Sequence, residues 1–535
     1  MKRWIKAGAI TLASLLTLII ITVGIACYLV FTPARLTSIV NKVAAKYLTC
    51  EMQAVEIDLT LFSSFPDVAL RLTDVALINP TEGAPSDTVA AIAQCEAVLD
   101  IKELLGSSSI VLRRLLLKGG EANLYIKEDG TSNFMVFATD SIAEEDTTST
   151  DFTLPDLDIQ EITASDINVT YRDEEAGQQA SIEDFALTLN GQLKGKQLKG
   201  AIKSSLQQVT VSMEGEMPIS ATVSDVALKL NGTMDNTDSK VGGSLTIGNI
   251  KATAADIEAG IEALAWQLDG SIKDSYLTAT TTLDTKPIAI SMGGESPLSA
   301  TLATAQFEAE AQAGGSRIFL IPTFEAKGVN VTMDKEQMLS EAELGIFVPL
   351  MTDTAWQHID ISEAGISLNE YIITLSGGVH IPDTSTMDAY LHFETEYWDI
   401  PSLLTLVPDS YRNLLDGIRI KGSTALRGSI EGGMANGEMA ISKADATLGL
   451  SRLDLLYNDS IALQSRAANL AVTYTGSNDR AVGSIEASNL DVAMTGLAEA
   501  QLEEVAAKIR EAGGEVLCTQ GAGHPHHGKL DNIRR

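Results

Sequence analysis

From about residue 50 onward, apolar and polar residues alternate along the chain. "DINVTY" places Ile167, Val169 and Tyr171 on one side, and "QVTVSM" does the same with Val209, Val211 and Met213. "PIAISM" repeats the pattern with Ile288, Ile290 and Met292, and "VNVTM" with Val329, Val331 and Met333. A period of two is the signature of a strand with one apolar face and one polar face. The phrases "ALTLNG" (186–191), "ALKLNG" (227–232), "AWQLDG" (265–270) and, more loosely, "TLSG" (374–377) punctuate this run. Asn-Gly and Asp-Gly accept the positive φ of tight turns, so each phrase predicts a strand end followed by a hairpin turn. The pattern predicts a mainly β protein of hairpin-connected strands, one face of which is apolar along its length and needs a cover. A second sheet, the sheet's own curvature, or another apolar substance can supply it.

Helical signals are few. "CEAVLDIKELLG" (95–106) combines a strand with a short helical turn, and "DIPSLLTLVPDSYRNLLDG" (399–417) reads as one or two short helices, with Pro401 near a first helical position. Residues 7–31 hold no charge and no proline, enough to cross a bilayer as a helix. Lys2, Arg3 and Lys6 precede them and mark residues 1–6 as a cytoplasmic tip, which sends the bulk of the chain outward. The apolar run continues past Ala26 to Phe31, which favours an uncleaved anchor over a signal peptide. Residues 36–47 have one apolar helical face and are expected to cap the first strands. They open a module over 32–143. The acidic, Ser/Thr-rich segment 144–154 reads as a linker, and 155–495 as the repetitive sheet. Over 496–535, "LAEAQLEEVAAKIREAGGEV" predicts a charged amphipathic helix, followed by a disordered tail. Strands are expected to stop there, as in a shortened version of a longer sheet.

Charge narrows the partners. With Lys+Arg 38 against Asp+Glu 71, the formal charge is −33. Nucleic acid is excluded, because phosphate binding needs a basic footprint. Four scattered cysteines (27, 50, 95 and 518) lack metal-site spacing, though Cys50 and Cys95 are a possible pair.

Candidate chemistry is sparse. The sequence has no nucleophile elbow, zinc-protease motif, phosphate loop or dinucleotide fingerprint. His358, His380 and His392 fall on separate strand-like segments. "HPHH" (His524, His526, His527) is expected to show no more than incidental metal affinity. The acidic pairs Asp156/Asp158 and Glu144/Glu145 read as solvated. The Asn-x-Thr motifs at Asn168 and Asn330 read as Thr-rich strand. No catalytic, cofactor or metal residue is assigned, and a non-enzymatic role is expected.

Three stretches carry a resemblance. "LFSSFPDVALRLTDVALINP" (61–80), "LKGGEANLYIKEDGTSNF" (117–134) and "ASDINVTYRDEEAGQQASIEDFALTLNG" (164–191) resemble the opening of the AsmA-like proteins of Gram-negative bacteria. That resemblance implies an N-terminal transmembrane helix in the inner membrane, a periplasmic body, and an elongated, curled antiparallel β-sheet with a few short helices that forms an open groove with an apolar concave face. It implies a part in outer-membrane biogenesis, in which the larger relatives carry phospholipid. Phospholipid acyl chains, the inner membrane through residues 7–31, and other envelope proteins are the partners expected. The strand rows Ile167/Val169, Val209/Val211 and Ile288/Ile290 are candidate groove or core positions. The alternative is an envelope assembly scaffold whose apolar rows seal against each other in a closed β core.

Overall fold

A computed structural model describes residues 48–60, 68–99, 112–136, 157–194, 197–215, 217–235, 238–435, 438–478, 480–494, 498–512 and 515–525. The expected anchor (7–31), the helix after it and the linker 144–154 lie outside these residues. Among the described residues no helix is long and apolar enough to cross a membrane.

The chain divides into two compact units at Ala255/Asp256. The first holds β1 (Met52–Thr60), β2 (Val68–Ile78), β3 (Thr88–Leu99), β4 (Leu112–Ile126), β5 (Leu157–Asp173), β6 (Gln178–Lys194), β7 (Gln197–Met213), β8 (Ile219–Met234), β9 (Asp238–Ile247) and β10 (Asn249–Ala254). Neighbours in this unit pair antiparallel, except that β4 and β5 run parallel. Parallel strands cannot be joined by a two-residue hairpin, unlike the antiparallel neighbours on either side.

The second unit holds β11 (Ile257–Lys273), β12 (Tyr276–Met292), β13 (Leu298–Leu302), β14 (Thr304–Gly314), β15 (Arg317–Met333), β16 (Glu336–Phe347), β17 (Leu350–Asp353), β18 (His358–Leu368), β19 (Tyr371–Asp383) and β20 (Thr386–Thr395). After β21 (Trp398–Asp399) come α1 (Ile400–Leu404) and α2 (Asp409–Arg412), as the sequence predicts. Asp399 caps α1 by accepting a hydrogen bond from the Ser402 N–H at 3.0 Å. The sheet resumes with β22 (Ile418–Ala435), β23 (Glu438–Tyr457), β24 (Ile461–Thr475), β25 (Arg480–Met494), β26 (Ala498–Ala512) and β27 (Glu515–Pro525).

Two expectations are corrected here. The Asn-Gly and Asp-Gly pairs of the phrases at 186–191, 227–232 and 265–270 make no turns. β6 runs three residues past Gly191, and β8 two past Gly232. Gly191, Gly200 and Gly232 instead lie directly opposite one another across three strands. Tight turns fall instead at Asp274-Ser275, Asp334-Lys335 and Asn458-Asp459, where both residues have positive φ. Any pair tolerating positive φ is a possible turn; register across the sheet selects the one used.

The second correction concerns the C-terminal segment read as a helix. It forms β26, paired with β25 from Met494↔Ala498 to Val482↔Arg510, and β27 follows on β26. The segment's helical spacing is a local preference. The free backbone edge of β25 offers a full ladder of partners and overrides it.

A line of bulges crosses the strands of each unit. Asp166, Asp184 and Asp225 have φ of 58°, 51° and 56° in the middle of β5, β6 and β8. In the second unit Gly328, Glu341, Glu363, Arg452 and Asn489 do the same in β15, β16, β18, β23 and β25. Such a residue breaks the two-residue alternation and bends the strand. In β8 the apolar positions are Leu230, Leu228 and Val226 on one side of Asp225, then Val223, Ala221 and Ile219 on the other. The numbering changes from even to odd while the apolar face stays the same. Phe324 and Ala326 likewise pack in one cluster with Val329 and Val331, across Gly328.

The bulges also explain the two Asn-x-Thr motifs. Asn168 Oδ1 accepts the Asp184 N–H at 3.0 Å, and Asn330 Oδ1 accepts the Glu341 N–H at 3.0 Å. Each amide satisfies a donor that the bulge removes from the ladder. Replacing Asn168 by Ala is expected to cost about 1 kcal/mol in urea unfolding, and by Asp much less, because Asp keeps the acceptor. Asn330→Ala is expected to cost more, since Asn330 Nδ2 also donates to the Gly328 carbonyl and to Glu341.

Candidate functional site

The apolar side of the sheet can be followed from register, because directly paired residues share a face. In the second unit one row runs Trp266, Leu283, Phe307, Phe324, Ile346, Ile366, Ile373 across seven strands. Six steps of ~4.8 Å make it about 29 Å long. Farther along, Leu426, Leu448, Leu470 and Ile485 form a second row. In the first unit Val169, Ile182, Val209, Val223 and Ile250 make a comparable one.

Burial is graded along each strand. Small residues crowd the bulge line: Ala326 and Ala342 are each 2% exposed. Ala164, Ala364 and Ala468 are buried beside bulges on other strands. Toward the strand ends the same face opens, with Ile346 and Met333 both 42% exposed. Within each unit this is the burial profile of a trough whose floor is that unit's bulge line. Exposed apolar patches beyond a few hundred Å² are rare on proteins that need no partner.

The six candidate positions fall on these strands. Val169 and Val209 share the row through Ile182, and Ile167 sits beside the β5 bulge, paired with Phe185. Ile167, Val169, Val209 and Ile288 are half-buried, whereas Val211 and Ile290 are 44% and 45% exposed. Ile288 and Ile290 belong to the second unit, where they pair with Ile261 and Ala259. The larger row from Trp266 to Ile373 is not legible in the sequence, because it runs across seven strands and exists only through their register.

The titratable groups stand apart from these rows. Asp383 is brought down to about 2 by hydrogen bonds from the Ser385 side chain and backbone. Asp353 is held low by His358, whose Nδ1 lies 3.0 Å from Oδ2, and by the Gln357 N–H. His358 and His380, distant in sequence, pair across strands and stack with centroids 4.3 Å apart. The Tyr125 hydroxyl donates to Glu174 at 2.6 Å, and that bond raises its pKa. Cys50 and Cys95 are both free, and burial raises the Cys95 thiol. Among the described residues no group of three or more His, Cys, Asp or Glu is arranged to hold a metal. His526 and His527 lie outside these residues.

One residue of the 117–134 motif has a role its sequence did not reveal. Asp129-Gly130 makes the expected turn, with the Thr131 N–H donating to Asp129 Oδ1. Asn133, 1% exposed, then clamps the returning chain to β4. Its Oδ1 accepts the Tyr125 N–H and its Nδ2 donates to the Asn123 carbonyl, both at 2.8 Å. A buried amide with both ends satisfied fixes this hairpin in one geometry.

No curated protein matches the chain. The AsmA family profile matches residues 1–313, from the N-terminus into β14, which is more than half of the 535 residues. The three motif stretches, the Asn133-clamped hairpin and the strands of the first unit all lie within that match, and the chain belongs to the AsmA family.

Proposed function

We propose that this protein is a non-catalytic member of the cell envelope whose apolar sheet face holds or conducts phospholipid acyl chains during outer-membrane biogenesis. Membership of the AsmA family points to envelope assembly or lipid transport. Residues 7–31 anchor it in the inner membrane, with residues 1–6 cytoplasmic and the bulk periplasmic. The observation that carries this reading is the trough: cross-strand apolar rows whose members are left open by the protein's own side chains. Each buried CH₂ contributes about 0.8 kcal/mol, so an acyl chain laid along a row is held by many weak contacts without any essential residue. The open rows count against a scaffold with a sealed core.

Native mass spectrometry of the full chain after gentle detergent extraction tests the proposal. Phospholipid retained reproducibly at defined stoichiometry is expected. A chain that emerges lipid-free from lipid-replete membranes overturns it and leaves the scaffold as the better account.

A further inference from the structure

Within the apolar face of the second unit, two adjacent rows have gaps. One row runs Ile359, Val379, Ala389, Gly432, Ile441 and the next Ile361, Gly377, Leu391, Ile430, across β18, β19, β20, β22 and β23. Gly377 and Gly432 sit where side chains would otherwise fill the face. Glycine is enforced at both. A Cβ on Gly432 would lie 2.7 Å from the Ala440 carbonyl oxygen, and one on Gly377 would overlap the Tyr390 carbonyl. The void left above them is a cavity of about 330 Å³. A third row, Met387, Met434, Met439, crosses β20, β22 and β23 toward their ends.

We propose that this pit seats the terminal part of a hydrocarbon chain, which rests on and deepens the lipid-holding reading. Its lining of Ile, Val, Leu, Met, Ala and Gly, with Tyr390, includes no charged side chain. A polypeptide lodged there would bury backbone N–H and C=O groups without partners. Ordered water needs two to four polar partners of its own. The volume lies near the lower end of small-ligand sites, which suits part of one acyl chain and not a whole phospholipid. Methionine, unbranched and polarizable, adapts to a flexible alkyl end.

The test uses the full chain in nanodiscs with a phospholipid that carries a photoreactive diazirine at one acyl terminus. Labelled residues are mapped by mass spectrometry. Labelling is expected to concentrate on Met387, Met439 and Ile441, above that on the exposed Leu448 and Leu470 of the same face. Ala389→Phe fills the pit, its ring packing over the facing Gly432 as aromatics do beside strand glycines. It is expected to cut that labelling about tenfold, since two buried methylenes are worth that factor, and to leave labelling elsewhere unchanged. Even labelling along the face, or labelling insensitive to Ala389→Phe, overturns the pit but not the trough. Absence of label anywhere overturns both. The map on the unsubstituted chain decides the matter even if the variant does not fold.

Discussion

Val211→Glu and Ile346→Glu are expected to strip bound phospholipid from the protein while leaving it folded. Both side chains are more than two-fifths exposed in the free chain, so a carboxylate there stays hydrated and stability changes by about 0.5 kcal/mol or less. Once a hydrocarbon chain covers the row, the same carboxylate must be desolvated or the chain displaced. The cost of burying an uncompensated polar or charged group is a few kcal/mol, enough to lower retained lipid by about tenfold or more. Ser205→Glu, on the opposite, polar face of β7, supplies the control: a new charge without loss of lipid. Native mass spectrometry reads the lipid and thermal unfolding reads the fold. Cooperative unfolding of Val211→Glu at room temperature would mean that the row is sealed after all. Full lipid retention in a folded variant would mean that the face is not where lipid sits.

Gly328→Val is expected to destabilise the second unit more than any single change on the exposed faces. Gly328 has φ 64° in the middle of β15, and a Cβ there would lie 2.9 Å from the Ala303 Cβ. A β-branched residue held in the left-handed region costs about 1–3 kcal/mol, and overpacking beside it adds about 1–3 kcal/mol. The site touches the densest part of the unit, the cluster of Ala305, Ala326, Val329 and Ala342. Asp225→Gly, at the equivalent bulge of β8, is expected to be nearly neutral, since glycine adopts that conformation freely. Urea titration of the three chains orders them. Equal stability of Gly328→Val and the parent would refute the bulge line as the feature that shapes the trough.

The two predictions probe different parts of an arrangement that each unit has by itself. The floor is built of small residues and bulges, where a larger side chain has nowhere to go. The walls carry Leu, Ile, Val, Phe and Met side chains that face outward with room above them. A protein selected for stability alone would close those walls over each other. Leaving them open forfeits hydrophobic stabilisation of about 25 cal/mol per Å² of apolar surface, which, on the proposed function, a guest hydrocarbon would restore.

The alternation of Ile167/Val169, Val209/Val211 and Ile288/Ile290 was enough to determine strands with one apolar face, because alternation is a property of each strand's own pleat. The motifs of residues 61–191 were enough to indicate the family. The short helices of residues 400–412 were legible from Pro401 and the Asp399 cap. What the chain could not show locally was which strand pairs with which, and in what register. Locally, therefore, the Asn-Gly pairs at 190–191 and 231–232 carry a turn signal and residues 498–512 a helical one, and register overrides both. The same limit hid Asn168 and Asn330 as the partners of bulged residues on other strands. Whether the apolar face is covered was also beyond the sequence. Burial depends on what other parts of the chain place above a residue, and only the folded arrangement decides that the rows flanking the bulge line stay open.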